Sequence, residues 1–314
     1  MPEISVVVPL YNEAANLPLL YARLNQVMQT MGVTYEYVWV NDGSRDETIK
    51  LVKELAAADP HIKYLDLSRN FGHQIAVTAG LEHSTGNKIV IIDADLQDPP
   101  ELIADLYQKM QEGYEVVYAK RRSREGESWL KKFTAKSFYR ILKIITNVDI
   151  PVDTGDYRIV DRKVVEVLKQ MPEYHRFLRG QIAWIGFDQT YLEYNRDERN
   201  AGQTGYTYRK MLQFALDGIT AFSDFPLKLA TIMGFIVSGV AFLTLLYALY
   251  MRLIVGDFVQ GWTSIIVSVL FLGGVQLISI GVIGEYISRI NTQVKDRPLY
   301  VLKEGNCLKK ENKQ

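Results

Sequence analysis

The chain has 314 residues, and its 36 Lys and Arg are balanced by 36 Asp and Glu. Neutrality excludes the basic excess that drives nucleic-acid binding. A single cysteine, Cys307, excludes an internal disulfide framework and a cysteine-based zinc site.

From the N-terminus, apolar runs rich in Val, Ile and Tyr at residues 4–8, 35–40, 62–67, 88–92 and 115–119 predict strands. Amphipathic stretches at 14–31, 46–58, 72–83 and 100–111 predict helices between them. This alternation predicts an α/β domain, a mostly parallel sheet covered by helices. Met1-Pro2-Glu3 has no basic start, so the first run does not read as a secretory signal. Residues 120–143 then gather Lys120, Arg121, Arg122, Arg124, Lys131, Lys132, Lys136, Arg140 and Lys143 against only Glu125 and Glu127. Such a run is either a solvated helix face or a surface for phosphate or anionic lipid headgroups. Farther on, Tyr208, Met211, Leu212, Phe214, Leu216, Ile219 and Phe222 recur at helical spacing. They predict an amphipathic helix in residues 206–225, lying in a membrane interface beside the apolar segment that follows.

That segment is where the balanced average misleads. Between residues 229 and 288 only Arg252, Asp257 and Glu285 are charged. The uncharged stretches 229–251 and 258–284 each exceed the roughly 20 residues a spanning helix needs. They predict two membrane spans joined near 252–261, with Tyr250 and Trp262 at the interface. Small residues at Ala230, Gly234 and Ser238, and at Gly273, Gly274, Gly281 and Gly284, permit close helix pairing and point to a homo-oligomer. Residues 289–314 carry seven Lys and Arg against three Asp and Glu, which predicts a cytoplasmic tail and, after two spans, a cytoplasmic N-terminal body.

In an α/β sheet, ligands bind beyond the carboxyl ends of the strands. Three of the first four strand ends carry acids: Glu13, Asp42, and the set Asp93, Asp95 and Asp98. Asp93-Ala94-Asp95 follows a buried-looking strand, and two carboxylates at i and i+2 can converge on one hard cation, Mg²⁺ or Mn²⁺, that also takes phosphate oxygens. No G-x-G-x-x-G follows the first strand and no G-x-x-x-x-G-K-[ST] occurs, which argues against a dinucleotide enzyme or P-loop nucleotidase.

Val6-Val7-Val8-Pro9-Leu10-Tyr11-Asn12-Glu13, Val40-Asn41-Asp42-Gly43-Ser44, Ser68-Arg69-Asn70-Phe71-Gly72 and Asp93-Ala94-Asp95-Leu96-Gln97-Asp98 together resemble family 2 glycosyltransferases of the GT-A fold. Asp153-Thr154-Gly155-Asp156-Tyr157-Arg158, Arg176-Phe177-Leu178-Arg179-Gly180 and the two spans narrow the resemblance to polyprenyl-phosphate glycosyltransferases. That group holds dolichyl-phosphate mannose synthase and the bacterial GtrB and ArnC bactoprenol types.

The resemblance implies a division into a GT-A catalytic domain (1–205), an interfacial helix (206–225), two transmembrane helices (226–288) and a basic tail (289–314). It implies an inner-membrane enzyme with its catalytic domain and termini in the cytoplasm. A hexose, glucose first, would pass with inversion from a UDP-sugar to undecaprenyl phosphate. Mannose, a 4-amino-arabinose derivative, or a processive polysaccharide synthase are the alternatives, and the last lacks its Q-x-x-R-W signature here. Pro9, Tyr11, Glu13, Asp42, Arg69 and Asp93 would bind the nucleotide, and Asp93 and Asp95 the metal. Gln97 would lie near the sugar, and Arg176, Arg179 and Arg199 would meet the acceptor phosphate. Asp156 would orient the acceptor, touch the sugar or take the last proton. His73 stands where relatives often carry Lys. The histidines otherwise read mostly as structural or surface residues.

Overall fold

The computed structural model describes residues 1–122, 154–195, 225–250, 253–254 and 261–307. The chain forms two units, one of residues 1–212 with 298–314 and one of residues 213–297. The basic run beyond Arg122, the amphipathic segment 206–224 and Arg199 lie outside the described residues.

The first unit is built on an eight-stranded sheet. Its strands are β1 (Ile4–Leu10), β2 (Tyr35–Asn41), β3 (Ile62–Leu67), β4 (Lys88–Ile91), β5 (Val116–Arg121), β6 (Thr154–Asp161), β7 (Gln189–Tyr194) and β8 (Leu302–Gly305). The helices are α1 (Leu17–Met31), α2 (Thr48–Ala58), α3 (His73–His83), α4 (Leu102–Met110), α5 (Arg162–Gln170) and α6 (Leu178–Ile185). The strand order is β7-β5-β6-β4-β1-β2-β3-β8. Side chains alternate across each strand. Val6 and Val8 enter one apolar cluster with Leu20, Leu24 and Ile103, and Val7 enters the other with Val77, Val160 and Val164. The α3 layer sits so close that a Cβ on Gly80 would lie 2.3 Å from Val7 Cγ1, which requires glycine there.

β1 pairs in parallel with β2 on one side and β4 on the other, so the chain reverses its direction of propagation between β1 and β4. Pro9 helps open the crevice at this point. It has no N–H to offer a neighbour, and the β1–β4 register ends at Val7 while β1–β2 continues to Leu10. Ligands bind at such switch points, beyond the strand ends.

Three strands and two helices were not predicted. β6 runs antiparallel between β4 and β5. Its residues alternate properly, with Tyr157 and Ile159 in one cluster, but its other face carries Asp156 and Arg158, so it lacks an apolar signature. β7 carries mixed Gln, Thr and Glu. β8 comes from the segment expected to form a basic tail and closes the β3 edge, antiparallel. It is held by bonds outside its own short ladder: Ser68 N donates to Val301 O at 2.9 Å, Tyr64 N to Asn306 Oδ1 at 2.7 Å, and Tyr300 Oη to Glu82 at 2.6 Å.

In the second unit, α7 (Phe225–Tyr250) and α8 (Trp262–Val294) pack against each other. Both are long and apolar enough to cross a membrane, the qualifying stretches being Phe225–Thr244 and Phe271–Val294. Their flanks expose apolar side chains such as Phe235, Phe242 and Leu277, a surface that suits lipid and not water. The second helix extends ten residues beyond Gly284, through an i,i+4 ion pair of Glu285 with Arg289 at 3.0 Å. A Cβ added at Gly234, Gly273, Gly274, Gly281 or Gly284 would meet no atom within 4 Å among the described residues.

Candidate active site

Three loops at the strand ends are bonded into one platform. Asn12, in the left-handed region at φ 58, accepts from Arg45 N at 2.8 Å, while its own N–H donates to Ser44 Oγ at 2.9 Å. Glu13 N donates to Thr48 Oγ1 at 2.9 Å and Ala14 N to Asp46 at 3.2 Å. Asp42 then grips the third loop, its two carboxylate oxygens accepting from Phe71 N at 2.7 Å and Gly72 N at 2.9 Å. Burial raises its pKa despite those two donors. Gly43 has φ 65, and a Cβ there would lie 2.5 Å from the Arg69 and Asn70 backbone. Tyr11 is exposed on this platform, and the Arg69 guanidinium lies 4.0 Å above the Phe71 ring. Pro9 is buried inside β1, so its contribution is to the backbone and not to a ligand.

Opposite the platform, β4 delivers Asp93 and Asp95. Asp95 is nearly buried and accepts from Gln97 N at 3.1 Å across a turn in which Leu96 takes φ 60. A bulky residue in the left-handed region is strained, by about 1–3 kcal/mol; here Leu96 is anchored in the core. Asp93 is 29% exposed. Desolvation raises its pKa first, and the carboxylates of Asp156, Asp98 and Asp95 add to it while His73 opposes.

Asp156 stands on β6 within a ring of donors. Its Oδ2 lies 2.9 Å from His73 Nε2 and 3.3 Å from Gln74 Nε2. Its Oδ1 accepts from Arg179 Nε at 3.0 Å and Arg158 Nη2 at 3.2 Å. Burial alone would raise its pKa, but Arg179, His73 and Arg158 outweigh burial and hold it well below the usual carboxylate range. Desolvation pulls His73 down, yet Asp93, at 3.7 Å, and Asp156 push it up to about 9, with Arg179 opposing. The two carboxylates thus favour the imidazolium form of His73.

The structure thus brings Asp93, Asp156 and Arg179 together, with Asp95 and Gln97 on the adjoining turn. It does not bring Arg176 to them. That guanidinium is 3% exposed, donates to Leu168 O at 3.4 Å and faces Glu173 at 4.0 Å, beneath α5. Arg158, His73 and Gln74 had no assigned role in the sequence reading. The Lys-for-His73 exchange was the one available signal, since it marks a position where a cation is wanted.

The acids fit a divalent cation. Among the described residues no group of three or more His, Cys, Asp or Glu side chains is placed to hold a metal ion by itself. Two carboxylates beside a phosphate-bearing ligand is the arrangement hard cations accept. The Asp93 carboxylate, its pKa raised first by desolvation and then by the carboxylates of Asp156, Asp98 and Asp95, is a group whose charged form a bound cation would favour.

Residues 5–169 match the model of the family described as Glycosyl transferase family 2. The chain belongs to that family. It is 51% identical over 301 residues to an uncharacterized glycosyltransferase, YkcC, of Bacillus subtilis (strain 168), covering 96% of this chain and 93% of that one. It is 50% identical over 305 residues to the uncharacterized glycosyltransferase sll0501 of Synechocystis sp., covering 96% and 95%. It is 41% identical over 304 residues to a bactoprenol glucosyl transferase of Shigella phage SfII, covering 97% and 98%. As a family 2 glycosyltransferase the chain has the GT-A fold.

Proposed function

We propose that this glycosyltransferase moves a hexose, glucose first, from a UDP-sugar to a polyprenyl phosphate at a membrane surface, by one inverting displacement. The observation that carries the reading is the Asp156 ring, in which His73, Arg158 and Arg179 converge on one carboxylate beside Asp93. Relatives called bactoprenol glucosyl transferase, aligned over nearly the full chain, support the lipid acceptor. Two helices of spanning length support a membrane location.

The chemistry follows from charge. Asp93 and Asp95 would hold Mg²⁺ or Mn²⁺, which when bound stabilises the negative charge growing on the leaving diphosphate. The platform of Tyr11, Glu13, Asp42 and Arg69 would seat the nucleotide, and Gln97 would lie near the sugar. The acceptor phosphate has a second pKa near 6, by analogy with phosphoamino acids, and attacks as a dianion at neutral pH. It needs no base, and Asp156, held far below neutrality, is a poor one. Asp156 instead fixes three cations. Two of them keep part of their side chains exposed, His73 40% and Arg179 20%, and would face an incoming phosphate. Arg199 would add to them; Arg176, buried beside Leu168, is left out of this proposal. Inversion follows from a single backside attack.

Membranes holding the full chain, given radiolabelled UDP-glucose and undecaprenyl phosphate, should yield an organic-soluble labelled lipid. EDTA or Asp95→Asn should reduce the yield at least about 100-fold without lowering the melting temperature. Labelled polymer would support a processive synthase, and full turnover in EDTA would remove the metal from the mechanism.

A further inference from the structure

We propose that Gln74 is a positioning residue that couples the nucleotide platform to the acceptor side of the site. The proposal rests on the reaction just described.

Gln74 sits in the first turn of α3, directly after the 68–72 loop that Asp42 grips. Its amide makes two bonds of opposite sense. Nε2 donates to Asp156 Oδ2 at 3.3 Å, and Oε1 accepts from Leu178 N at 3.2 Å. These partners fix the amide orientation, because a carboxylate requires a donor and a backbone N–H an acceptor. Leu178 opens α6, and the next residue is Arg179, whose Nε bonds the other oxygen of Asp156. One neutral side chain therefore ties together α3, β6 and α6.

The alternatives at this position fail for separate reasons. Glutamate can accept from Leu178 N but sets a second carboxylate against Asp156. Asparagine lacks the methylene that spans both partners. Methionine matches the length and offers neither bond. His73, one residue earlier, holds the same Asp156 oxygen but makes no bond to α6 in the described structure. Gln74 is thus the residue through which the seating of the 68–72 loop sets where Asp156 and Arg179 stand. It touches no reacting atom, and its effect is on acceptor geometry.

The test compares the full-length enzyme with Gln74→Met and Gln74→Glu, purified in the same detergent, using UDP-glucose and undecaprenyl phosphate. UDP binding by calorimetry gives the folded, donor-competent fraction, and kcat is expressed per UDP site. The expected result is a kcat lower by about 10- to 100-fold and a raised acceptor KM, with UDP affinity within about twofold of wild type. A merely structural role would lower the count of UDP sites and leave kcat per site and acceptor KM unchanged, which overturns the proposal. Wild-type kcat and KM in Gln74→Met overturn it as well. An inactive wild type instead overturns the functional reading, and the proposal with it.

Discussion

At the residue scale, the proposed mechanism rests on matching charge and not on offering a base. Four carboxylates, Asp93, Asp95, Asp98 and Asp156, crowd a partly desolvated region, and His73, Arg158 and Arg179 offset them. His73 is the informative member. A histidine in water is mostly neutral at pH 7, yet here it is raised to about 9 by Asp93 and Asp156. Because the folded-state pKa is raised, the charged form persists as pH rises until about 9. On the proposed reading the residue supplies positive charge beside Asp93 and Asp156. His73→Lys should keep most of the activity between pH 6 and 8, whereas His73→Gln should lose about 10-fold or more. Equal rates in His73→Gln and wild type would assign the position no electrostatic role.

Individual elements are held by polar locks at their ends. Glu36 on β2, 4% exposed, accepts from Ser5 Oγ at 2.5 Å, Thr85 N at 2.6 Å and Thr85 Oγ1 at 2.9 Å, and pairs with Lys63. Ser5 Oγ in turn accepts from Gly86 N at 2.7 Å. This fastens β1, β2, β3 and the turn after α3. Burial pushes the Glu36 pKa up, but Lys63, Ser5 and Thr85 together lower it below the ordinary glutamate value. A depressed folded-state pKa stabilises the fold above the unfolded value, about 4.3, and that stabilisation is lost as pH falls through the folded-state value. Urea denaturation should show stability falling below about pH 4.3. Glu36→Gln should be weaker than wild type at pH 7 and should narrow the gap as pH falls. A gap of constant size would mean that Glu36 is not ionised in the fold.

At the scale of the whole molecule, the chain enters the catalytic unit twice. After α8 ends at Val294, residues from 298 onward rejoin the sheet as β8. Val301 O holds Ser68 N, the residue before Arg69 in the loop proposed to seat the nucleotide. Tyr300 and Leu302 also cover the apolar cluster that Phe71 joins. Truncation before residue 229 therefore removes part of the catalytic fold along with the helices. Replacing residues 213–297 by a flexible Gly-Ser linker, and so keeping β8, should leave UDP affinity within about threefold. Transfer to a short soluble prenyl phosphate should survive, and transfer to undecaprenyl phosphate in vesicles should fall about 10-fold or more, since a lipid anchor raises the local concentration of its partner. Full-length rates in vesicles would show that α7 and α8 do not position the catalytic unit.

Local pattern was enough to read the first five strands, the first four helices and two long apolar segments, because hydrophobic periodicity is written along the chain itself. The strand-end acids were legible for the same reason: a buried parallel strand is a short apolar run, and its carboxyl end is where a ligand is met. β6 was not legible, because Asp156 and Arg158 on one face are tolerated in the interior only through partners brought from α3 and α6. β8 was not, because four residues of mixed polarity become a strand only when the open edge of β3 is available to pair with them. The fate of the two arginines in Arg176-Phe177-Leu178-Arg179 was decided by tertiary packing alone. The helix that begins at Leu178 turns Arg179 toward Asp156 and leaves Arg176 buried beside Leu168, a difference of direction that no spacing in the sequence encodes.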